Sequence, residues 1–204
     1  MAFAKIDICN MAVSHLAVGL EIQDFDNEKT EAAQACRRFY DVARQKVLRD
    51  FDWPFASAID FLAQLIVQPT VEWAYSYRYP ANALALQRIP NGAMRVDTEL
   101  SRAIYAVGRD LVGQIIYSDL NAPVQVQYTY DEQDTTKFPP DFVVALAFYL
   151  AFLIGPRVAG GDQFKLADRA YLLYQRAIIE AQVNAAAQEP PDFAPDAAMV
   201  NTRN

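Results

Sequence analysis

One stretch of the chain, residues 142–154, is thirteen residues long and contains no charged side chain. A bilayer-spanning helix needs about 20 apolar residues, so this run is too short to cross a membrane. Pro140 and Asp141 precede it and Gly155-Pro156 follow it, a pattern typical of a helix start and a helix stop. Because the run is apolar on all sides, it predicts a buried helix that other helices surround completely.

The residues before this run show two helical periods. The first predicts a helix over 4–18 that ends at Gly19, with one apolar face formed by Ile6, Cys9, Val13 and Leu16. An acidic connection at 21–31 follows, in which Asp26 or Asn27 is expected to cap the next helix.

The second helix is predicted to run to about Asp50 and to stop before Trp53-Pro54. Its apolar stripe consists of Ala32, Cys36, Phe39, Ala43 and Val47. A basic row lies off that stripe: Arg37, Arg38, Arg44, Lys46 and Arg49. Acidic residues are interleaved with this row, which favours a solvated face or an ion-paired subunit contact over a nucleic-acid patch.

Between 60 and 130 the pattern alternates, as is typical of half-buried strands. Trp73, Tyr75, Tyr77 and Tyr79 fall on one side of a first strand. Further strands are predicted at 84–89, 103–107, 111–117 and 124–130, with Gly108-Arg109-Asp110 as a hairpin loop. The aromatic ladder at 73–79 indicates packing rather than a platform for single-stranded nucleic acid, because Arg78 is its only cation.

After the apolar run, Gly160-Gly161-Asp162 predicts a turn and a last helix over about 163–187, with Leu166, Leu173, Ala177 and Ile178 on its inner face. Residues 188–204 contain three prolines and no periodicity. They predict an extended arm, which is either unstructured or orders on a partner.

These elements define an α+β fold. A bundle of about four helices, from 1–59 and 131–187, carries a β-rich insertion at 60–130, which we expect to be one small antiparallel sheet, and a C-terminal arm at 188–204.

The 204-residue chain is globular in composition, with 53% hydrophobic and 21% charged residues, and its net charge of −7 argues against wrapping nucleic acid. No signal peptide is expected at its start, which has Lys5 and Asp7 but no apolar core. Cys9 and Cys36 are expected to be reduced and buried, and a disulfide is possible only if the first two helices are neighbours.

Candidate chemistry is sparse. The lone histidine, His15, is better explained by the C-terminal end of a helix than by catalysis. Asp24, Asp26 and Glu28 alternate like the start of a calcium loop, but Lys29 and Ala35 occupy the positions that need Gly and Glu. No nucleotide-binding or hydrolase motif occurs. We therefore expect no enzyme activity, no metal and no cofactor.

Four segments carry a resemblance to a known family: IDICNMA at 6–12, FYDVAR at 39–44, LRDFDWPFA at 48–56 and YRYP at 77–80. With the order of elements around them, they resemble the tail tubular protein A family of tailed bacteriophages, which are head-to-tail adaptors also found in prophages and gene-transfer particles. The resemblance covers most of the chain, and its motifs are structural rather than catalytic.

The resemblance implies a virion neck protein that assembles in the host cytoplasm into a ring, usually of twelve subunits, between the portal ring and the tail nozzle or tail-tube protein. Double-stranded DNA would pass through the ring without sequence-specific binding, and no membrane would be involved. The arm would dock on the portal or on a neighbouring subunit through Pro190, Pro191, Phe193, Pro195 and Met199.

The tail-side surface would lie within 60–130, and the sequence offers Arg37, Arg38, Arg44, Asp24 and Asp26 as candidates for the contact between subunits. Three other readings remain open: a stopper or tail-completion protein of the same particle, a cytosolic scaffold or interaction domain, and, least favoured, a small-ligand enzyme.

Overall fold

The structure, a computed structural model, describes residues 3–17, 19–66, 71–90, 103–159 and 164–188. This part of the chain contains four α-helices: α1 (Lys5–Ser14), α2 (Glu31–Asp50), α3 (Pro140–Val158) and α4 (Phe164–Gln188). It also contains six strands: β1 (Ser57–Phe61), β2 (Tyr75–Arg78), β3 (Ala83–Arg88), β4 (Tyr105–Arg109), β5 (Gln114–Ser118) and β6 (Gln125–Tyr130). The predicted α+β fold class is confirmed. The predicted turn at 160–162 lies outside the described residues.

The ends of the first two helices differ from the prediction. α1 stops at Ser14, and the chain turns through Ala17, whose φ is 53°, so Gly19 is not the stop. α2 is capped by Thr30, whose hydroxyl accepts a hydrogen bond from the Ala33 amide at 3.4 Å. Asp26 and Asn27 do not cap it, because they lie in the preceding turn, where their backbone amides donate to the Asp24 carboxylate.

α3 runs through Gly155-Pro156 to Val158, so the predicted stop at that pair is wrong. A proline removes one helical hydrogen bond, the one its missing N–H would give to the residue four positions earlier. Pro156 lies in the last turn, and the ladder resumes after it, since the Ala159 amide donates to the Gly155 carbonyl at 2.9 Å. The local cost of the proline is therefore confined to the end of the helix.

Glycine at 155 has a packing role instead. A Cβ placed on Gly155 would lie 2.7 Å from the Cβ of Ala167 on α4, closer than side chains can approach. The absence of a side chain lets α3 and α4 come together here. The contacting face of α4 is built largely of small residues, with Ala167, Ala170, Tyr174, Ile178 and Ala181 buried.

α3 is surrounded by α1, α2 and α4 over most but not all of its surface. Phe142, Leu146, Leu150 and Ile154 are fully buried, but Val144 is exposed and Phe148, Tyr149, Phe152 and Leu153 are only partly covered. The expectation of burial on every side is therefore wrong. By length and composition alone, this nineteen-residue helix could cross a membrane. Half of its most apolar stretch is buried within the protein, however, and the core helix of a soluble protein has the same length and composition.

The β part consists of two three-stranded antiparallel sheets, not one. In the first the order is β1-β6-β3, with Ser57 opposite Thr129, and in the second it is β2-β5-β4. Backbone hydrogen bonds join the two sheets on both sides. Leu65 N donates to Ser76 O at 2.8 Å on one side, and Ala103 N donates to Ile89 O at 2.9 Å on the other. The six strands thus form a barrel-like unit.

This unit has a hydrophobic core of its own, formed by Leu62, Tyr77, Ile89, Ile116, Val124, Val126 and Tyr128. Tyr75 and Tyr79 pack against the same cluster as Tyr77, so the predicted common face of these tyrosines is confirmed. The hairpin turn was misplaced: Gly108 and Arg109 belong to β4, and the loop lies at 110–113, where Asp110 N donates to Gly113 O at 2.9 Å. β1 begins at Ser57, three residues before the expected start of the β part.

Candidate interaction surfaces

A buried ion pair joins the β part to the helical bundle. Arg44 on α2 is only 2% exposed, and its guanidinium contacts the Asp131 carboxylate and donates to the Glu132 carbonyl at 2.6 Å. Gln45 donates to the other Asp131 oxygen at 3.1 Å. The prediction that Arg44 lies on a solvated basic face is wrong, and its burial removes it from the candidates for a subunit contact.

The next residue, Glu132, is buried and saturated with hydrogen bonds. Its carboxylate accepts from the Tyr130 hydroxyl at 2.5 Å, from Lys137 Nζ at 2.7 Å and from two backbone amides at 3.0 Å. Burial alone would raise the pKa of Glu132, but the bonds from Lys137 and Tyr130 outweigh it and lower the pKa to about 2. The same balance, with Arg44 as the partner, holds the pKa of Asp131 below its usual range. Both carboxylates are therefore ionised at neutral pH and hold the β part in place.

Of the two other basic candidates on α2, one is engaged inside the chain and one is not. Arg37 donates to the carbonyls of Phe25 and Glu28, at 2.5 and 2.6 Å, and so fixes the acidic connection against α2. Arg38 is exposed and forms no ion pair with any residue that the structure describes. Arg38 is thus the candidate cation with a free charge.

The acidic candidates divide in the same way. Asp24 accepts hydrogen bonds from the Asp26 and Asn27 amides and from the Asn27 side chain, and these bonds lower its pKa. Asp26 is exposed, and its carboxylate has no hydrogen-bond partner among the residues described here. Asp26 and Arg38 are therefore the two candidates whose charges stay available to another molecule.

The five residues proposed for the arm, Pro190, Pro191, Phe193, Pro195 and Met199, lie outside the described residues. The helix that leads to them, α4, ends at Gln188.

Large apolar side chains are exposed on the β part. Leu111 is fully exposed and Val112 is 83% exposed, both in the β4–β5 loop, and Ile59 and Phe61 are more than 60% exposed on β1. Phe61 and Val112 line the same cleft, of about 450 Å³, together with Arg78 and Gln114. Arg78 is held there by a double ion pair to Asp110, at 2.8 and 3.0 Å. The cleft thus combines an apolar rim with a fixed charged pair.

Sequence reasoning missed this apolar rim. Alternation assigns one face of each strand to the core and treats the other as polar, yet Ile59 and Phe61 lie on the outer face of an edge strand. The sequence held one indication of it: Leu111 and Val112 directly follow the predicted hairpin loop, and two successive apolar residues at a hairpin turn are unusual because such loops are normally polar.

Groups with catalytic potential remain scattered. The His15 ring packs at a tilt of 38° against Phe148, with ring centroids 4.5 Å apart, and burial lowers the pKa of His15. Cys9 and Cys36 are free and fully buried, as predicted, and a hydrogen bond between them raises the pKa of Cys9. Within the described residues no group of three or more His, Cys, Asp or Glu side chains could hold a metal ion.

The four segments that carry the family resemblance form parts of the core. Trp53, from the third segment, is buried, donates to the Val47 carbonyl at 2.9 Å and packs edge-on against Phe142 of α3 at 5.2 Å. In the first segment, Ile8, Cys9 and Ala12 are fully buried. Comparison with protein-family models gives no match, and comparison with curated proteins gives none either.

Proposed function

We propose that this protein is a head-to-tail adaptor of a tailed phage or a related particle, and that it works as a ring between the portal and the tail. The four sequence segments described above support the proposal, and so does the succession of helices, inserted β part and two further helices. The exposed apolar rim of the β part, around Phe61 and Val112, is the observation that carries it. Contiguous exposed apolar surface marks sites where proteins associate.

In this role the rim of the β part is the tail-side contact. Leu111 and Val112 project from a short loop on a unit that has its own core, so the loop is presented on a rigid support. One such contact is small, but a closed ring presents many copies at once, and the combined binding is far stronger than a single contact. The passing DNA meets a chain of net charge −7, which lacks the cationic excess that would retain it.

A ring also needs two different faces on each subunit, because each face meets its complement on the neighbour. Arg38 on α2 and Asp26 in the acidic connection are exposed and opposite in charge, so each can pair with its complement on a neighbouring copy. We assign them to the contact between subunits, with Arg38 of one copy facing Asp26 of the next.

Negative-stain electron microscopy of the protein, alone and mixed with the portal protein of the same phage or prophage, tests the adaptor role. The expected image is an additional ring below the portal. Portal rings without added density, together with a protein that stays monomeric at high concentration, would refute the proposal. Density of one or a few copies plugging the portal channel would instead indicate a stopper and would equally refute it.

Charge reversal tests the contact between subunits. Arg38→Glu and Asp26→Arg should each prevent ring formation, and the double variant should restore it, since the opposite charges are then exchanged. Arg49→Glu, an exposed cation near the end of the same helix, is the matched control and should leave rings intact. If the double variant does not form rings, Arg38 and Asp26 do not face each other in the contact between subunits.

The tail-side contact has its own test. Val112→Asp should leave portal-bound rings intact but abolish binding of the tail nozzle or tail-tube protein to them. Val183→Asp, an exposed valine on α4, is the control and should bind the tail component normally. Normal tail binding by Val112→Asp would rule out the β part as the tail-side surface.

A further inference from the structure

An aromatic groove lies where the end of α2, the start of α3 and the last turns of α4 meet. Its volume is about 220 Å³. Its walls include Phe51, Trp53 and Phe55 on one side, Asn184 and Ala185 of α4 on the other, and Asp141 at the start of α3. Three aromatic rings and two prolines line a site whose other side is formed by small alanines. This composition resembles the grooves that hold proline-rich segments.

The rings of this groove are held in place by the core. Trp53 packs edge-on against Phe51 at 4.9 Å and against Phe142 at 5.2 Å, and its indole N–H is used by the Val47 carbonyl. Phe55 packs against Phe142 at 5.0 Å. A preformed aromatic surface of this kind binds a ligand without having to order itself first.

The chain itself contains a segment of matching chemistry. Residues 189–195, EPPDFAP, follow directly after α4 and combine three prolines with one phenylalanine. Prolines favour the extended polyproline conformation, which lies on aromatic surfaces at little cost in entropy. The Asn184 side chain on the rim supplies an amide that can donate to a carbonyl of such a segment.

The tether is short enough for this segment to reach the groove. Ala185 lines the groove and is three residues before the end of α4, a rise of about 4.5 Å along the helix. From Gln188 to Phe193 an extended chain spans at most about 17 Å. Proline at 190 disfavours helix for the residue before it, so the sequence favours an extended chain after Gln188. Phe193 is therefore within reach of the groove from which its own helix emerges.

We infer that the segment 189–195 binds in the aromatic groove of its own chain, with Pro190-Pro191 on the rings and Phe193 as the anchor. Docking in the same chain is favoured because the linker keeps the segment at high effective concentration. The inference does not depend on the adaptor role, since it concerns the isolated chain.

Paramagnetic broadening in the full-length protein tests this inference. A nitroxide attached at Ala197→Cys is selective, because the native thiols of Cys9 and Cys36 are fully buried. The chain has two tryptophans, so its indole N–H region contains two side-chain signals. The Trp53 indole in the groove should lose most of its intensity, whereas the Trp73 indole in the β part should keep it.

Two pairs of variants identify the groove and its occupant. Ala185→Glu places a charged chain in the groove and should restore the Trp53 signal, whereas Ala187→Glu, on the exposed side of the same helix, should not. Phe193→Ala should also restore the signal, whereas Met199→Ala should not. Because Phe193 follows the end of the last helix, its replacement tests the inference even if Ala185→Glu disturbs the fold.

A mixed sample distinguishes the two possible sources of the segment. Isotope-labelled protein without a nitroxide is combined with unlabelled protein that carries one. Broadening of Trp53 in this mixture, in which the observed copies carry no nitroxide, would mean that a second copy supplies the segment and would overturn docking within the chain. Equal signals for Trp53 and Trp73 in the spin-labelled chain, or broadening that survives Phe193→Ala, would overturn the inference as well.

Discussion

Replacing Arg44 should cost more stability than any change to an exposed cation on the same helix. Its guanidinium is 2% exposed and serves both the Asp131 carboxylate and the Glu132 carbonyl, which join the end of β6 to α2. Arg44→Met keeps the apolar stem of the side chain and removes only the charged head. The variant thus isolates the polar contacts of the junction.

The expected loss is about 3 kcal/mol. Removing one partner of a buried ion pair costs about 3–5 kcal/mol, because the remaining charge stays buried without compensation. Asp131 is 22% exposed and keeps its bond from Gln45, which places the loss at the lower end of that range. With a urea m-value of about 2 kcal/mol/M, the unfolding midpoint should fall by about 1.5 M.

Urea unfolding followed by circular dichroism measures this loss, with Arg38→Met as the matched control. Arg38 is exposed and should change stability by less than about 0.5 kcal/mol. In a double-mutant cycle with Asp131→Asn, the coupling between the two residues should be about 2 kcal/mol. Equal unfolding midpoints for Arg44→Met and Arg38→Met would refute the idea that this pair holds the β part on the bundle.

Three further changes have outcomes set by local geometry. Glu132 has a pKa of about 2 in the fold against 4.5 ordinarily, so its stabilising effect is complete above pH 4.5 and should disappear as the pH falls towards 2. Stability measured across this window should therefore fall less steeply in Glu132→Gln than in the native chain. Tyr40→Phe should raise the free energy of unfolding by about 1 kcal/mol, because the Tyr40 hydroxyl is buried without a hydrogen-bond partner among the described residues. Gly155→Ala should lower the free energy of unfolding by about 1–3 kcal/mol, and with it the melting temperature, because the added methyl would meet Ala167.

Each of these has a control or a contradicting result. Gly19→Ala is the control for the glycine change, because a Cβ at that position meets no atom within 4 Å. Equal melting temperatures for the two alanine variants would mean that the close approach of α3 and α4 at Gly155 does not contribute to stability. A parallel pH dependence of Glu132→Gln and the native protein would mean that other carboxylates govern acid unfolding. A loss of stability in Tyr40→Phe would indicate that the hydroxyl has a partner.

Local patterns in the sequence predicted most of the elements. Period-3.6 spacing located α4 and the end of α2 to within about a residue, but α2 begins later than the predicted caps Asp26 and Asn27. Alternation located strands near β2, β3, β5 and β6. What alternation could not predict was the pairing. β6 lies between β1 and β3, and these contacts join residues 39 to 72 positions apart, for which the sequence has no local signal.

The candidate site was harder to predict than the fold. On a helical wheel Arg44 falls beside the apolar stripe, and a charged residue there is usually solvated. Its partner Asp131 is 87 positions away, so the burial of the pair was invisible in the sequence. The same applies to the aromatic groove. Phe51, Trp53 and Phe55 are close in sequence, but Asn184 and Ala185 reach them only through the packing of α4 on α3.

The β part enters and leaves the bundle through neighbouring strands, and this geometry has an evolutionary consequence. Ser57 on β1 lies opposite Thr129 on β6, and the Tyr130 hydroxyl oxygen is 3.3 Å from the Phe55 carbonyl oxygen, so the chain enters and leaves the β part at adjacent points. A unit with neighbouring ends and a separate core can be exchanged for another of different size or specificity with changes to its host confined to the junction, where Leu84 and Tyr130 pack against the bundle core. Lineages that meet different partners can therefore diversify this module while the helical frame is inherited unchanged.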